Sequence, residues 1–113
     1  MKKIDLSLWN KRLDEEYNER EKKRLEILSR AIELLKAYFK DKPVEKVVLV
    51  GSILEEGRFY PFSDIDVVVD GLEEEYFKTL TELEEMLERD IHLIELGKCR
   101  FKDPLEKRGL RIV

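Results

Sequence analysis

The chain has 113 residues, with 26 acidic against 22 basic side chains and a formal charge of -4. That length fits one domain with a modest core, and the acidic balance excludes a protein whose main surface coats nucleic acid, because counterion release needs a basic face. A single cysteine, Cys99, leaves no partner for an internal disulfide and reads as a half-buried small residue. No apolar run reaches the length of a membrane span, and the polar sequence directly after Met1–Leu6 is unlike a secretory leader, so a cytoplasmic protein is expected.

Residues 1–42 contain neither Gly nor Pro. Within them Leu25, Leu28, Ile32, Leu35 and Phe39 fall close to a 3.6-residue period, widened by Ile27, Ala31, Leu34 and Tyr38, which predicts a well-buried helix end. Asn10–Arg24 is mostly charged and keeps only Leu13 and Tyr17 as apolar contacts. One helix from a Ser7 cap to Phe39 would be about 50 Å long at 1.5 Å per residue, whereas a domain of this size has a radius of gyration of about 13 Å. Such a helix must break, project, or pack on another chain, and its charges read either as a solvated face or as a partner-binding arm.

Pro43 stops the helix. Val44–Val50 reads as a strand, and its continuous run Val47-Val48-Leu49-Val50 suits a strand covered on both faces. Gly51 ends it; residues 53–63 are a loop punctuated by Gly57 and Pro61. Asp64–Val69 is the second strand, closed by the turn pair Asp70-Gly71. Leu72–Arg89 carries Leu72, Tyr76, Phe77, Leu80, Leu83, Met86 and Leu87 on one side and acidic residues on the other, an amphipathic helix. Ile91–Leu96 is a third strand, Asp103-Pro104 with Gly109 past the end fits a short helix, and Leu110–Val113 a last short strand. The expected fold is α/β or α+β, a small mixed sheet flanked by helices. It is read as a single domain over 1–113: a helical segment over 1–42 and a sheet-containing core over 44–113.

The chemistry is concentrated in Ser63-Asp64-Ile65-Asp66-Val67-Val68-Val69. Residues two apart in a strand share a face, so Asp64 and Asp66 stand side by side with Cβ atoms about 6 to 7 Å apart, while Ile65, Val67 and Val69 point into the core. Two carboxylates on one face repel one another unless they sit in open water or hold cations. Mg²⁺ takes such oxygen ligands together with substrate phosphates and water, and paired ions can clamp a phosphoryl group during displacement. Upstream, Val47–Val50 runs into Gly51-Ser52. A sharp turn there lets backbone amides approach a phosphate, with the Ser52 hydroxyl able to donate to the same group. Gly51 and Gly57 do not make a Walker loop, since Arg58 replaces the Lys-Ser/Thr it needs. The segment 64–70 is no calcium loop, because bulky aliphatics interleave its acids.

The compound pattern Val48-Leu49-Val50-Gly51-Ser52, Gly57-Arg58-Phe59 and Ser63-Asp64-Ile65-Asp66 resembles the minimal nucleotidyltransferases, small members of the DNA polymerase β-like superfamily, over about residues 20 to 113. The resemblance implies a palm-like nucleotidyltransferase fold and metal-dependent transfer of a nucleoside monophosphate, with ATP the expected donor, to an acceptor hydroxyl. It implies Mg²⁺ or Mn²⁺ held by Asp64 and Asp66, and nucleotide contacts from Gly51, Ser52, Arg58 and Ser63. It also implies a partner, a HEPN-domain protein that such antitoxins accompany, beside self-association through the N-terminal helix. An alternative is a nucleotidyltransferase-fold antitoxin or subunit that binds without turnover. The spacer Ile53–Ser63 is one residue longer than usual. The third carboxylate of the family's next strand is replaced: Asp90-Ile91-His92-Leu93 puts His92 at its place, with Asp90 two residues earlier on the same face. His92 could act as a base or stand neutral at the rim; either His92 or Asp90 would complete the site.

Overall fold

The computed structural model describes residues 6–72, 75–98 and 108–113. Its element order is α1 (Ser7–Phe39), β1 (Lys46–Val50), β2 (Ile65–Asp70), α2 (Tyr76–Leu87), β3 (Ile91–Glu95) and β4 (Leu110–Arg111), with short 3₁₀ turns at Ser52–Leu54 and Leu96–Lys98. Among the described residues two long helices and a four-stranded mixed sheet make an α+β fold. The proposed helix over 103–109 lies mostly outside the described residues, as does Cys99.

The strand order is β3-β2-β1-β4. β1 pairs antiparallel with β2 and with β4, whereas β2 and β3 are parallel and joined through α2. The alternating pleat divides the sheet's side chains into two sets. Val47, Leu49, Ile65, Val67, Val69, Ile91 and Leu93 pack in one cluster with Ala31, Leu35 and Phe39 of α1 and Leu83 of α2. Val48, Val50, Val68 and Leu96 form a smaller cluster on the opposite face. The continuous apolar run of β1 therefore does what such a run requires: it buries both sides.

α1 is continuous for 33 residues. It projects, giving the molecule extents of 68 × 28 × 20 Å and a radius of gyration of 17.8 Å. Its first turns leave Leu6, Leu8, Trp9 and Leu13 exposed. Several boundaries differ from the sequence reading. Ser7 is the first helical residue, not the cap; Leu6 occupies that place and no side chain caps the end. β1 begins at Lys46, and β2 runs Ile65–Asp70, so Asp64 lies just before the strand. α2 starts only at Tyr76 and ends in a left-handed Glu88 at φ 51°, a stop without the usual glycine signal. Leu25 and Phe77, placed on apolar stripes by periodicity, are exposed, while Arg24 and Thr79 are buried. Among the described residues no helix is long and apolar enough to cross a membrane.

Candidate functional site

The site lies where β1 ends and β2 and β3 begin. At Gly51 the backbone turns with φ 85° and ψ -158°, a conformation that L side chains rarely adopt. The 3₁₀ turn follows at once, with the Leu54 N–H donating to the Gly51 carbonyl at 3.1 Å and the Glu55 N–H to the Ser52 carbonyl at 3.0 Å. The antiparallel register sets Val50 against Asp66. A Cβ on Gly51 would stand 2.1 Å from Asp66 Oδ2, so only glycine lets the turn and the acid meet. On the other side the parallel register sets Asp66 against His92, and His92 Nδ1 lies 3.3 Å from Asp66 Oδ1. Around them opens a cavity of about 680 Å³ lined by Gly51, Glu55, Asp66, His92 and Arg108, with Val50, Leu54 and Ile94 as its apolar wall.

The Asp66 carboxyl is pushed above its ordinary range. Burial is the main cause; the charge and hydrogen bond of His92 work the other way, and the neighbouring Asp64 adds to the rise. A carboxylate held partly desolvated next to a second carboxylate is an electrostatically strained anion that a cation would relieve.

The structure lines one cavity with Gly51, Asp66 and His92; Asp64, near enough to act on the Asp66 carboxyl, and the other residues singled out from the sequence are not part of that lining. Asp64 is exposed just ahead of β2, and Asp90 is exposed ahead of β3, its carbonyl taking the Ile65 N–H at 3.1 Å. Ser52 is half-buried at the head of the 3₁₀ turn. Arg58 is an exposed loop residue whose guanidinium lies 3.6 Å from Glu55. Ser63 uses its hydroxyl to accept the Tyr60 N–H at 2.9 Å, closing a local turn. Glu55 and Arg108 were not singled out. Neither belongs to a motif; Gly109, read from the sequence as the stop of a short helix, lies against β1 in the structure.

Among the described residues no group of three His, Cys, Asp or Glu side chains is placed to hold a metal ion. The half-buried Asp66 carboxylate at the cavity, with Asp64 close to it, has the oxygen chemistry of a Mg²⁺ or Mn²⁺ ion that takes its remaining ligands from substrate phosphates and water. The two acids do not make a complete protein cage.

The loop between Gly51 and β2 is braced by the charged half of α1. Arg24 is 8% exposed. Its Nη1 donates to the Ile53 carbonyl at 3.0 Å, and its Nε and Nη2 donate to Glu21. The Gly57 N–H donates to the second oxygen of Glu21 at 3.0 Å, and the Tyr17 hydroxyl to Glu56 at 2.8 Å. Farther along, Arg89 Nη1 donates to the carbonyls of Tyr60, Pro61 and Ser63, while the Arg20 guanidinium lies 4.8 Å from the centre of the Tyr60 ring. A stretch of α1 that reads as a solvated face is thus a set of side chains holding the loop.

Comparison with known proteins identifies the family and the fold. Residues 33–112 match the family model described as Polymerase beta, Nucleotidyltransferase. The chain therefore belongs to the polymerase β nucleotidyltransferase family. Among solved structures it is similar to a chain in the crystal structure of the toxin-antitoxin MntA-HpeT carrying two Asp-to-Glu substitutions. The two share 16% identity over 74% of this chain and 71% of that one, with a TM-score of 0.59. At that identity the likeness is one of fold. A comparison with curated proteins gives no match.

Proposed function

We propose that the protein is a metal-dependent nucleotidyltransferase that moves a nucleoside monophosphate from a nucleoside triphosphate, ATP first among them, to an acceptor hydroxyl. The observation that carries this reading is the contact between the Gly51 turn and the Asp66 carboxylate at the mouth of one cavity. The turn is where amides would receive phosphate oxygens, with Ser52 beside them. Asp66 and Asp64 would hold Mg²⁺ or Mn²⁺, which when bound neutralises phosphate charge. The chain's own contribution is positioning and charge complementarity for an in-line displacement. His92, next to Asp66, or Asp90 would face the acceptor side as proton acceptor. Mg²⁺-dependent release of pyrophosphate from ATP, in the presence of an acceptor, tests the reading. Asp64→Asn and Asp66→Asn should abolish release while leaving the fold intact; equal release by parent and variants would end it.

A second reading has its own support: a nucleotidyltransferase-fold antitoxin or subunit that binds a partner, a HEPN-domain protein, without turnover. His92 stands where the family's third carboxylate is expected and pairs with Asp66. The projecting arm of α1 bears exposed Leu6, Trp9 and Leu13, and the similar solved chain comes from a toxin-antitoxin structure. Self-association through the same arm is the other use of that surface. The mass of a co-expressed partner separates the readings: a gain of one nucleotide residue supports the enzyme, and a tight complex without gain supports the binder.

A further inference from the structure

On the nucleotide reading the cavity would take up a strongly anionic ligand between walls that are themselves acidic. Its described acidic walls, Glu55 and Asp66, face a ligand that would bring several negative charges of its own. The arginine expected from the loop, Arg58, is turned to Glu55. Arg24 and Arg89 are committed to the loop they brace. Arg108 is different. It lines the cavity with Gly51, Asp66 and His92, and it makes no ion pair or hydrogen bond with another described residue.

Its place follows from the backbone. β4 pairs with β1 in the register Val48↔Arg111 and Leu49↔Leu110. One more step of that ladder brings Gly109 beside Val50, the residue that leads into Gly51. A Cβ on Gly109 would lie 2.1 Å from Val48 Cγ1 and 2.8 Å from the Leu49 carbonyl oxygen. Glycine is thus required for the chain to lie this close to β1, and that approach carries the preceding residue, Arg108, to the rim of the phosphate turn.

From this juxtaposition we propose that Arg108 is the phosphate-binding cation of the site, contacting the triphosphate tail of the nucleotide opposite the Gly51 turn. The proposal rests on the nucleotide reading above and adds to it the residue that recognises the tail. Guanidinium is suited to the task, since its planar fork can donate two hydrogen bonds to one phosphate.

The test measures dissociation constants of ATP and AMP, with Mg²⁺, for the full chain and for Arg108→Ala and Arg108→Lys. Arg108→Ala should weaken ATP roughly ten- to hundredfold, the loss expected for a charge-assisted contact, and leave AMP affinity near that of the parent. Arg108→Lys should recover part of the loss. ATP affinity unchanged by Arg108→Ala, or an equal loss for ATP and AMP, overturns the proposal while the nucleotide reading stands. A parent chain that binds neither nucleotide overturns the nucleotide reading itself, and this proposal with it.

Discussion

Arg24 and Ile53 are separated by twenty-nine residues, yet the guanidinium of the first donates to the carbonyl of the second at 3.0 Å in a buried setting. That bond joins the long helix to the turn that begins at Gly51. Because the turn is short, fixing the Ile53 carbonyl also fixes the orientation of the 3₁₀ segment Ser52–Leu54. Arg24→Met keeps the aliphatic stem but leaves that carbonyl without a donor, a loss of about 1 to 3 kcal/mol. A denaturant titration should show it, and Arg24→Lys should recover only part, because one ammonium cannot serve both Ile53 and Glu21 with the same geometry.

The same brace should make stability acid-sensitive. Hydrogen bonds from Arg24 and from the Gly57 amide hold the Glu21 carboxyl below its ordinary value of 4.5. A carboxyl depressed in the folded state contributes stability that is whole above its unfolded value and is lost as pH falls through the folded one. The melting temperature should therefore drop as the pH is lowered from about 5 to 3. Glu21→Gln should be less stable than the parent at neutral pH, and the gap should close toward the acid end. A gap that is constant across this range would show that the carboxylate charge contributes nothing.

At Gly51 two independent penalties meet: a left-handed backbone and a side-chain position 2.1 Å from Asp66 Oδ2. Gly51→Ala should cost about 1 to 3 kcal/mol from the backbone alone, with a further loss as the Asp66 carboxylate is displaced. Removing the acid in the same chain, Gly51→Ala with Asp66→Ala, relieves the collision but not the backbone strain. A double-mutant cycle should accordingly return a coupling above about 0.5 kcal/mol.

Much of this architecture was legible because it rests on short-range patterns. The two apolar strands and the Gly-Ser turn follow from apolar patterning and from the demands of a glycine turn, and the pairing of β1 with β2 brings Gly51 and Asp66 together, while Asp64 falls just ahead of β2. What escaped was carried by tertiary contact. Arg24 and Glu21 sit in a highly charged helical stretch with nothing local to mark them as buried partners of Ile53 and Gly57. Periodicity placed Leu25 on the apolar face, but the helix turns Arg24 inward there to satisfy a loop carbonyl. Arg108 belongs to no motif; only Gly109, forced against Val48, fixes its place.

The substitution of most interest is His92→Asp. In the parent, His92 Nδ1 lies 3.3 Å from Asp66 Oδ1 and eases a carboxyl that burial and Asp64 both disfavour as an anion. An aspartate at that place removes the imidazole and adds a third negative group to the same face. Without divalent ions the variant should melt below the parent, because like charges at one site raise each other's cost. With Mg²⁺ in the millimolar range the order of response should reverse, since a ligand that binds only the folded chain stabilises it in proportion to its affinity, and three carboxylates bind the ion more tightly than two. The Mg²⁺-induced rise in melting temperature should therefore be larger for His92→Asp than for the parent, and larger than for His92→Asn, which lacks the charge. An equal rise in all three chains would mean that position 92 does not look onto the metal, and that its pairing with Asp66 only fills the rim of the cavity.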